Sequence, residues 1–387
     1  MKQKIAILGS TGSIGKSLLK IIKKDKKKFE ISLLTANKNY KILLKQVKEF
    51  NVKNIIITDQ KYYKIAKLKY KNSKINIYNN FESLDLILKK KIDYTMSSIV
   101  GLNGLYPTLK IIKYTKIIAI ANKESLICAW NLIKRELNLY NTKFIPVDSE
   151  HFSIWFALKN IDKKKIEKIY LTASGGPLLN LPYRKFKNLK ISQITKHPNW
   201  PMGKKISVDS STLMNKVFEV IEAKKIFNIQ YDKISILIHP KSYIHAILKF
   251  TNGMIKIVAH DTTMKIPIFN TIYNNEDKKI KSKNLNLSII NNPNLANINL
   301  NRFPLVRILD KLPKHNSLYE TAIVSANDAL VEMYLKKEIQ YKEITKKLLS
   351  LANTKEIISL KKIIPKNISQ IEKLNKYVRL KIKTNSI

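Results

Sequence analysis

The segment GSTGSIG, residues 9–15, constrains the fold of this chain more than any other stretch. It directly follows the apolar run at residues 5–8, and a helical pattern begins at Ser13. Glycine at every third position lets the backbone approach a pyrophosphate, whose charge is met by the free N–H groups at the start of the helix. In this strand–turn–helix context the motif predicts a dinucleotide-binding fold. A glycine turn without a ligand is the alternative.

Apolar β-branched runs alternate with helical patterns through the first 150 residues. We predict strands at residues 5–8, 31–34, 55–57, 94–100, 117–121 and 144–147. Helical patterns between them include residues 13–23 and 102–112. This alternation predicts an α/β fold with a doubly wound, Rossmann-like parallel sheet.

The rest of the chain has a different organisation. Strands mix with one clear helix at 211–227, an Asn- and Lys-rich stretch without periodicity follows, and Ser317 begins a helix that runs to about Lys337, with two or three more after it. We therefore expect four parts: a nucleotide-binding domain at 1–149, an α/β catalytic domain at 150–273, a linker at 274–300 and a C-terminal helical domain at 301–387.

The net charge of +44 suggests a nucleic-acid-binding protein built on a nucleotide fold as one alternative. Such a protein needs clustered basic residues, whereas the lysines here are dispersed along the whole sequence. We therefore expect no specific nucleic-acid partner. The same charge favours anionic substrates by long-range attraction.

The sequence indicates neither a membrane span nor an internal disulfide. No apolar run approaches the roughly 18 residues of a membrane span, so no membrane partner is expected. No signal peptide precedes the first strand, which predicts a cytoplasmic location. The single cysteine, Cys128, excludes an internal disulfide and a multi-cysteine zinc site, and its apolar surroundings predict a small buried residue.

The end of the second predicted strand indicates which nucleotide binds. NAD-binding folds usually place a carboxylate there for the ribose hydroxyls. This chain has Asn37, Lys38 and Asn39 instead. A 2'-phosphate would be attracted by Lys38, so we predict NADPH rather than NADH.

The segment PVDSEH, residues 146–151, places two carboxylates one residue apart after an apolar strand. In an extended chain Asp148 and Glu150 would point to the same side and repel each other. They form either a solvated acidic turn or a cation site. Further polar clusters at residues 121–124, 172–177 and 197–219 stand where strands end or helices begin, the usual place for chemistry in such folds.

Taken together, GSTGSIG, ANKESL, PVDSEH, SGGP, HPNW-MGKKISVDS-T-MNK-FE-IEA and LIHP-S-IH resemble the 1-deoxy-D-xylulose 5-phosphate reductoisomerase family. The resemblance covers the whole chain and is strongest at residues 119–260. It implies rearrangement of 1-deoxy-D-xylulose 5-phosphate and reduction by NADPH to 2-C-methyl-D-erythritol 4-phosphate, in the non-mevalonate isoprenoid pathway. It also implies a divalent cation (Mg, Mn or Co), a small phosphorylated sugar as substrate, and a homodimer.

The resemblance assigns the metal to Asp148, Glu150 and Glu219, with Ser149 contacting the substrate. Hard carboxylate oxygens suit Mg²⁺ or Mn²⁺, and a shared cation relieves the repulsion between the acids. For Glu219 the alternative is a solvent-facing helix residue, which is our interpretation of Glu222.

The resemblance also implies the substrate and cofactor contacts. The phosphate falls to Ser174, Ser210, Asn215 and Lys216, while Ser210 or Ser211 caps the predicted helix as well. Residues from about 195 to 206 form a flap in which His197 contacts the substrate and Trp200 covers it; a core tryptophan is the alternative, and His239 and His245 are interpreted as structural. The implied cofactor contacts are Thr11, Gly12, Ser13, Ile14, Asn37, Lys38, Asn39, Asn122, Lys123, Glu124 and Gly203.

Four residues depart from the family pattern, namely Asn37, Pro201, Val217 and Asp328. None of them removes a metal or phosphate ligand, so they bear on rate and cofactor affinity. The competing enzyme hypothesis is another NADPH-dependent dehydrogenase, of the semialdehyde or homoserine type. Such an enzyme has no need for three carboxylates on one cation.

Overall fold

The structure is a computed structural model that describes residues 1–200, 202–274 and 276–384, the side chains at 187 and 188 excepted. The described chain forms two compact units, neither of them continuous in sequence. The first contains Met1–Ser125, Leu132–Asp148 and Met264–Ile280, and the second contains Leu126–Asn131, Ser149–Thr263 and the chain from Lys281 onward. The predicted domain limits stay predictions.

Strands and helices alternate from the first residues to Pro146. The strands are β1 (Gln3–Leu8), β2 (Phe29–Ala36), β3 (Asn54–Ile57), β4 (Asn76–Tyr78), β5 (Ile92–Ser97), β6 (Thr115–Ile120) and β7 (Lys143–Pro146). The helices are α1 (Ser13–Lys24), α2 (Tyr40–Phe50), α3 (Gln60–Lys69), α4 (Leu84–Ile87), α5 (Leu105–Ile112) and α6 (Lys123–Leu139).

The seven strands form one parallel sheet in the order β4-β3-β2-β1-β5-β6-β7, which confirms the predicted doubly wound sheet. The order of the strands reverses between β1 and β5, and in such folds ligands bind outside the carboxyl ends of the strands at this point. The predicted strand at 94–100 was too long, because β5 ends at Ser97 and the chain turns through Gly101 at a positive φ of 74°. The short edge strand β4 was not predicted, since it has one strongly apolar residue, Ile77.

A later helix completes the core of the first unit. Helix α11 (Lys265–Ile272) packs against α1, and its Ile268 and Ile272 join the same apolar cluster as the residues of β1 and β2. The hydroxyls of Tyr94 and Thr271 share a buried hydrogen bond of 2.8 Å. Residues far apart in sequence therefore support the sheet.

The second unit is built on a mixed four-stranded sheet in the order β11-β10-β8-β9. These strands are β8 (Ile166–Ala173), β9 (Ile234–Ile238), β10 (Ile244–Phe250) and β11 (Ile255–Ala259). The helices are α7 (Ser149–Ala157), α8 (Ile191–Thr195), α9 (Lys204–Ser211), α10 (Met214–Phe227), α12 (Leu287–Asn291), α13 (Leu318–Leu335), α14 (Tyr341–Ala352), α15 (Lys355–Ser359) and α16 (Ile368–Thr384). Loops and 3-10 segments, among them Pro304–Lys311, join these elements.

The predicted helix at 211–227 is in fact two helices. Helix α9 ends at Ser211, and α10 begins at Met214 after Leu213 adopts a left-handed conformation with φ of 57°. A leucine at positive φ is uncommon and is held there by its surroundings. The break changes the direction of the chain between Ser210 and Asn215, two of the predicted phosphate contacts.

The C-terminal helices agree with the sequence. Ser317 caps α13, accepting a hydrogen bond from the N–H of Tyr319, and three more helices follow. Within the predicted linker the described residues form one short helix, α12, and a single bridge between Ala296 and Ile238. Among the described residues, no helix has both the length and the apolar content to cross a membrane.

Candidate active site

The glycine loop lies between β1 and α1 and exposes the start of the helix. Gly12 is the N-cap residue of α1, no side chain caps the helix, and its first turn contains no acidic residue. The first N–H groups of α1 are therefore available to an anion such as a pyrophosphate. A Cβ on Gly15 would lie 2.6 Å from Cα of Ser10, so glycine is required for α1 to approach the loop this closely.

The residues after β2 lie exposed at the same end of the sheet. Asn37 donates from its side chain to the hydroxyl of Thr58, 2.8 Å away, which joins the loop after β2 to the loop after β3. Lys38 is exposed and Asn39 is the N-cap residue of α2 without a side-chain cap. Neither neighbour of Lys38 adds a negative charge.

Asn122 is the N-cap residue of α6, and its side chain already has three hydrogen bonds. It donates to the carbonyls of Ile99 and Gly101 and accepts from the N–H of Ser125, and it is 2% exposed. A contact from Asn122 to a cofactor would therefore come from its main chain. The next residue, Lys123, lies at the carboxyl end of β6, where its ammonium is 3.0 Å from the carboxylate of Asp148 at the end of β7.

In the second unit, Glu150 lies in the first turn of α7, not in an extended segment as predicted. Helix α7 begins at Ser149, immediately after Asp148, so the two acids are not related by the alternation of a strand. The hydroxyl of Ser149 donates to the Glu150 carboxylate over 2.7 Å.

An ammonium stands between two carboxylates in this unit. Lys216 Nζ is 2.7 Å from Oε1 of Glu150 and also contacts Oε2 of Glu219. The lysine is 4% exposed; burial lowers its pKa, but attraction to Glu150 and Glu219 outweighs this and leaves the pKa above its ordinary value. Asn215 donates to the other oxygen of Glu219, as their predicted shared helix face requires. Oxygens of Glu150 and Glu219 lie within 4.8 Å of each other.

Glu222 corrects one sequence interpretation. It was expected to face solvent, but it is 1% exposed and lies one turn after Glu219 against α7. Its Oε2 is 3.4 Å from Nδ1 of His151, whose Nε2 donates to the main-chain carbonyl of Glu219 over 2.8 Å. Helix α10 is buried on nearly all sides, so a polar residue on it need not face water.

The turn after β8 and the end of α9 lie against each other. Gly176 has a φ of 67°, and a Cβ there would lie 2.8 Å from the main-chain oxygen of Ser210. Ser174 and Ser210, 36 positions apart, are thus at neighbouring backbones. Ser210 is near the C-terminal end of α9, and Leu213 is the N-cap residue of α10, so the prediction that Ser210 or Ser211 caps that helix was wrong. Leu213 supplies no side-chain cap to α10.

His197 links the Ser174 turn to the predicted flap. Its Nδ1 accepts from the N–H groups of Asn199 and Trp200, at 3.2 and 3.0 Å, so the neutral ring carries its proton on Nε2. Nε2 lies 2.9 Å from the hydroxyl oxygen of Ser174, which therefore accepts a hydrogen bond from the Nε2–H group. Burial lowers the pKa of His197 to about 4. The neutral tautomer is therefore the relevant one near pH 7.

The predicted flap is described at residues 195–200 and 202–206; Pro201 lies outside the described residues. Gly203 is the N-cap residue of α9, has no neighbour within 4 Å of an added Cβ, and is exposed. Trp200 is half-buried and its indole meets the ring of His245 edge-on, with centroids 6.1 Å apart. It is neither a fully buried core residue nor a free surface residue.

Two histidines near Trp200 form a stacked pair that the sequence did not indicate. The rings of His245 and His260 are nearly parallel, with centroids 3.7 Å apart. Burial and the neighbouring imidazole lower the pKa of His245 well below its usual value. Fifteen positions separate the two residues, and no local motif connects them.

Three family models, all of the same enzyme, match this chain. Residues 5–130 match the family model of 1-deoxy-D-xylulose 5-phosphate reductoisomerase. Residues 144–227 and 261–381 match two models of the C-terminal domains of the same enzyme. The first of these C-terminal matches contains the three predicted metal ligands.

Relatives named as the same enzyme are similar to this chain over most of its length. The 1-deoxy-D-xylulose 5-phosphate reductoisomerase of Pelagibacter ubique is 58% identical over 387 residues, covering 100% of both chains. The Sulfurihydrogenibium enzyme is 35% identical over 343 residues, covering 89% of this chain and 88% of its own.

Solved structures of the same enzyme have the same fold. The Zymomonas mobilis reductoisomerase in complex with NADPH superposes with a TM-score of 0.89 at 28% identity, covering 100% of this chain and 99% of the other. A reductoisomerase in complex with NADPH, fosmidomycin and magnesium gives a TM-score of 0.90 at 28% identity, covering 99% and 98%. The chain belongs to the 1-deoxy-D-xylulose 5-phosphate reductoisomerase family.

Proposed function

We propose that the chain converts 1-deoxy-D-xylulose 5-phosphate to 2-C-methyl-D-erythritol 4-phosphate, using NADPH and a divalent cation. The observation that carries this proposal is the pair of acids, Glu150 and Glu219, that share the ammonium of Lys216. A simple dehydrogenase has no need for such a cluster beside a phosphate pocket. The family's reaction needs both.

The carboxylates fit a hard divalent cation. Glu150 and Glu219 present oxygens within 4.8 Å of each other, and Asp148 adds a third carboxylate at the residue before α7. The ammonium of Lys216 already lies between Glu150 and Glu219. Its positive charge compensates two largely buried carboxylates that would otherwise repel each other. Bound there, Mg²⁺ or Mn²⁺ supplies a Lewis acid for the carbonyl and hydroxyl oxygens of the sugar.

The chain's own residues bind and orient the phosphate end of the substrate. Ser174 accepts hydrogen bonds from His197 and from the N–H of Gly176, so its own proton is left to donate to a phosphate oxygen. Ser210 lies at the adjoining backbone, and Asn215 is in the uncapped first turn of α10. Hydroxyl, amide and helix terminus together suit a dianion.

The cofactor and flap have separate tasks. The uncapped start of α1 binds the pyrophosphate of NADPH, and Lys38 meets its 2'-phosphate. The bound nicotinamide supplies the hydride. Trp200, positioned by the main-chain bond to His197, covers the substrate and excludes water from the reacting carbons.

The direct test is the absorbance of NADPH with purified protein, 1-deoxy-D-xylulose 5-phosphate and Mn²⁺ or Mg²⁺. We expect oxidation that requires both substrate and metal and stops when a chelator is added. Oxidation without the sugar phosphate, or oxidation unaffected by the chelator, would contradict the proposal. A circular dichroism melt of the same sample establishes that the protein is folded.

We also propose that two copies associate through the second unit. Strand β11 is at the edge of its sheet, and Met254, Ile255 and Ile257 are 65%, 57% and 55% exposed. Unpaired strand edges with apolar side chains associate readily. Sedimentation should give twice the chain mass of 44.8 kDa, and Ile257→Lys should shift the species toward one chain. A wild-type protein that sediments as one chain at micromolar concentration would rule this out.

We further propose that the protein is cytoplasmic, as the sequence predicts. Its test is cell fractionation followed by detection of the protein in the soluble or the membrane fraction.

A further inference from the structure

Three rings form a column in the second unit: Trp200, His245 and His260. The indole of Trp200 meets the edge of the His245 ring at 68°, and His245 stacks on His260 at 18° with centroids 3.7 Å apart. Trp200 is in the flap, whereas both histidines belong to the end of the β10–β11 pair. The column therefore connects the flap to the sheet.

A β-bulge creates the column. The register of β10 and β11 pairs Ile244 with Ala259 and Ala246 with Val258, so His245 has no partner across the strands. A bulge of this kind redirects a side chain and is common beside active sites. It turns His245 out of the alternation of β10 and toward His260, the first residue after β11.

Hydrogen bonds to carbonyls fix the orientation of both rings. His245 Nε2 donates to the main-chain oxygen of His260 over 3.1 Å, and His260 Nδ1 donates to the main-chain oxygen of Asp261 over 2.8 Å. A carbonyl can only accept, so each ring has a defined tautomer. The Nε2 atom of His260 is then an acceptor, and it is buried without a hydrogen-bond partner among the described residues. The contact of His260 with His245 is made by the faces of the two rings.

We propose that His260 is a positioning residue for the substrate flap: it supports the ring of His245, which in turn seats Trp200 over the substrate. The catalytic consequence of this inference rests on the proposed function, but the ring contacts among Trp200, His245 and His260 are present without substrate. His245 contacts the rings of both Trp200 and His260, so His260 acts on Trp200 through His245.

The surroundings of Trp200 can be observed directly by fluorine NMR of protein labelled with 5-fluorotryptophan. The chain has three tryptophans, and Trp200→Phe identifies the resonance of Trp200. In His260→Gly the stacked ring is absent, so we expect the Trp200 resonance to shift while the other two remain. In His260→Phe a flat ring is retained, and we expect the resonance to stay close to its original position.

The kinetic consequence follows from the energy of one aromatic pair. We expect His260→Gly to raise KM for the sugar phosphate roughly two- to tenfold, with KM for NADPH unchanged, and His260→Phe to restore most of it. His315→Gly, at an exposed position, is the matched control. If His260→Gly perturbs all three resonances, His260→Asn, which disturbs the backbone less, replaces it.

Two outcomes would overturn the inference: a Trp200 resonance that does not move in the folded Gly or Asn variant, or one that moves equally in the Phe variant. If the proposed function is wrong, the experiment gives a different result. The resonance would shift as expected, but neither the parent protein nor any variant would oxidise NADPH with the sugar phosphate.

Discussion

The two units build their predicted sites in opposite ways. In the first unit, the predicted cofactor residues of the glycine loop and of the loop after β2 are exposed or half-buried, mostly uncharged, and lie directly after strands or at helix starts. In the second unit, Lys216 and Glu219 are buried and charged, and their partner Glu150 comes from a helix 66 positions earlier in the chain. Backbone geometry therefore makes the first site, whereas charge compensation between distant segments makes the second. A substitution should consequently affect one substrate and not the other.

The largest effect is expected from Glu219→Gln. It keeps the shape but removes a charge that both Lys216 and a divalent cation need, so we expect turnover to fall at least about a hundredfold. NADPH affinity, measured by the fluorescence of the bound cofactor, should not change. Glu338→Gln, at an exposed position, is the control. A parallel loss of NADPH affinity would show that the two sites are not separable.

Gly15→Ala tests the first unit in the same way. The added Cβ would lie 2.6 Å from Cα of Ser10 and 2.7 Å from the oxygen of Gly9, so α1 must move away from the loop. We expect the free energy of unfolding to fall by about 1–3 kcal/mol and KM for NADPH to rise. Gly12→Ala, whose Cβ is 3.3 Å from the oxygen of Gly9, should cost less stability. Urea unfolding and steady-state kinetics measure both, and equal losses would contradict the packing argument.

Lys38→Gln should have a smaller effect, because an exposed ammonium interacts weakly with a phosphate in water. We expect the preference for NADPH over NADH, measured as the ratio of kcat/KM, to fall roughly two- to fivefold. Lys71→Gln, also exposed, is the control for overall charge. An unchanged ratio would assign the preference to another group.

A pH-dependent effect is expected from His197. Its folded-state pKa of about 4 lies below the ordinary value of 6.5. As pH falls from 6.5 toward 4, the unfolded chain takes up a proton that the folded chain does not, so the free energy of unfolding falls. His197→Asn lacks this proton, and its urea midpoint should fall less between pH 7 and pH 4.5 than that of the parent. His315→Asn is the control, and an identical decline in all three proteins would refute the assignment.

The sequence predicted the first unit well because its signals are local. The glycine loop, the strand alternation and the absence of an acid after β2 each lie within a few residues, and all are present in the structure. Strand ends were less accurate, as at Ser97, because the end depends on where the neighbouring strand stops. The contribution of α11 to the first unit had no local signal.

Composition, motif and periodicity by themselves determined the doubly wound sheet, the residue types of the site and the family. The tertiary structure alone decided the break at Leu213, the helical position of Glu150, the burial of Glu222 and the stacking of His260 on His245. The reason is physical: period and turn chemistry act over a few residues, whereas burial and charge compensation depend on which distant segments meet. A buried glutamate and an exposed one have the same sequence signal until the residues that cover them are known.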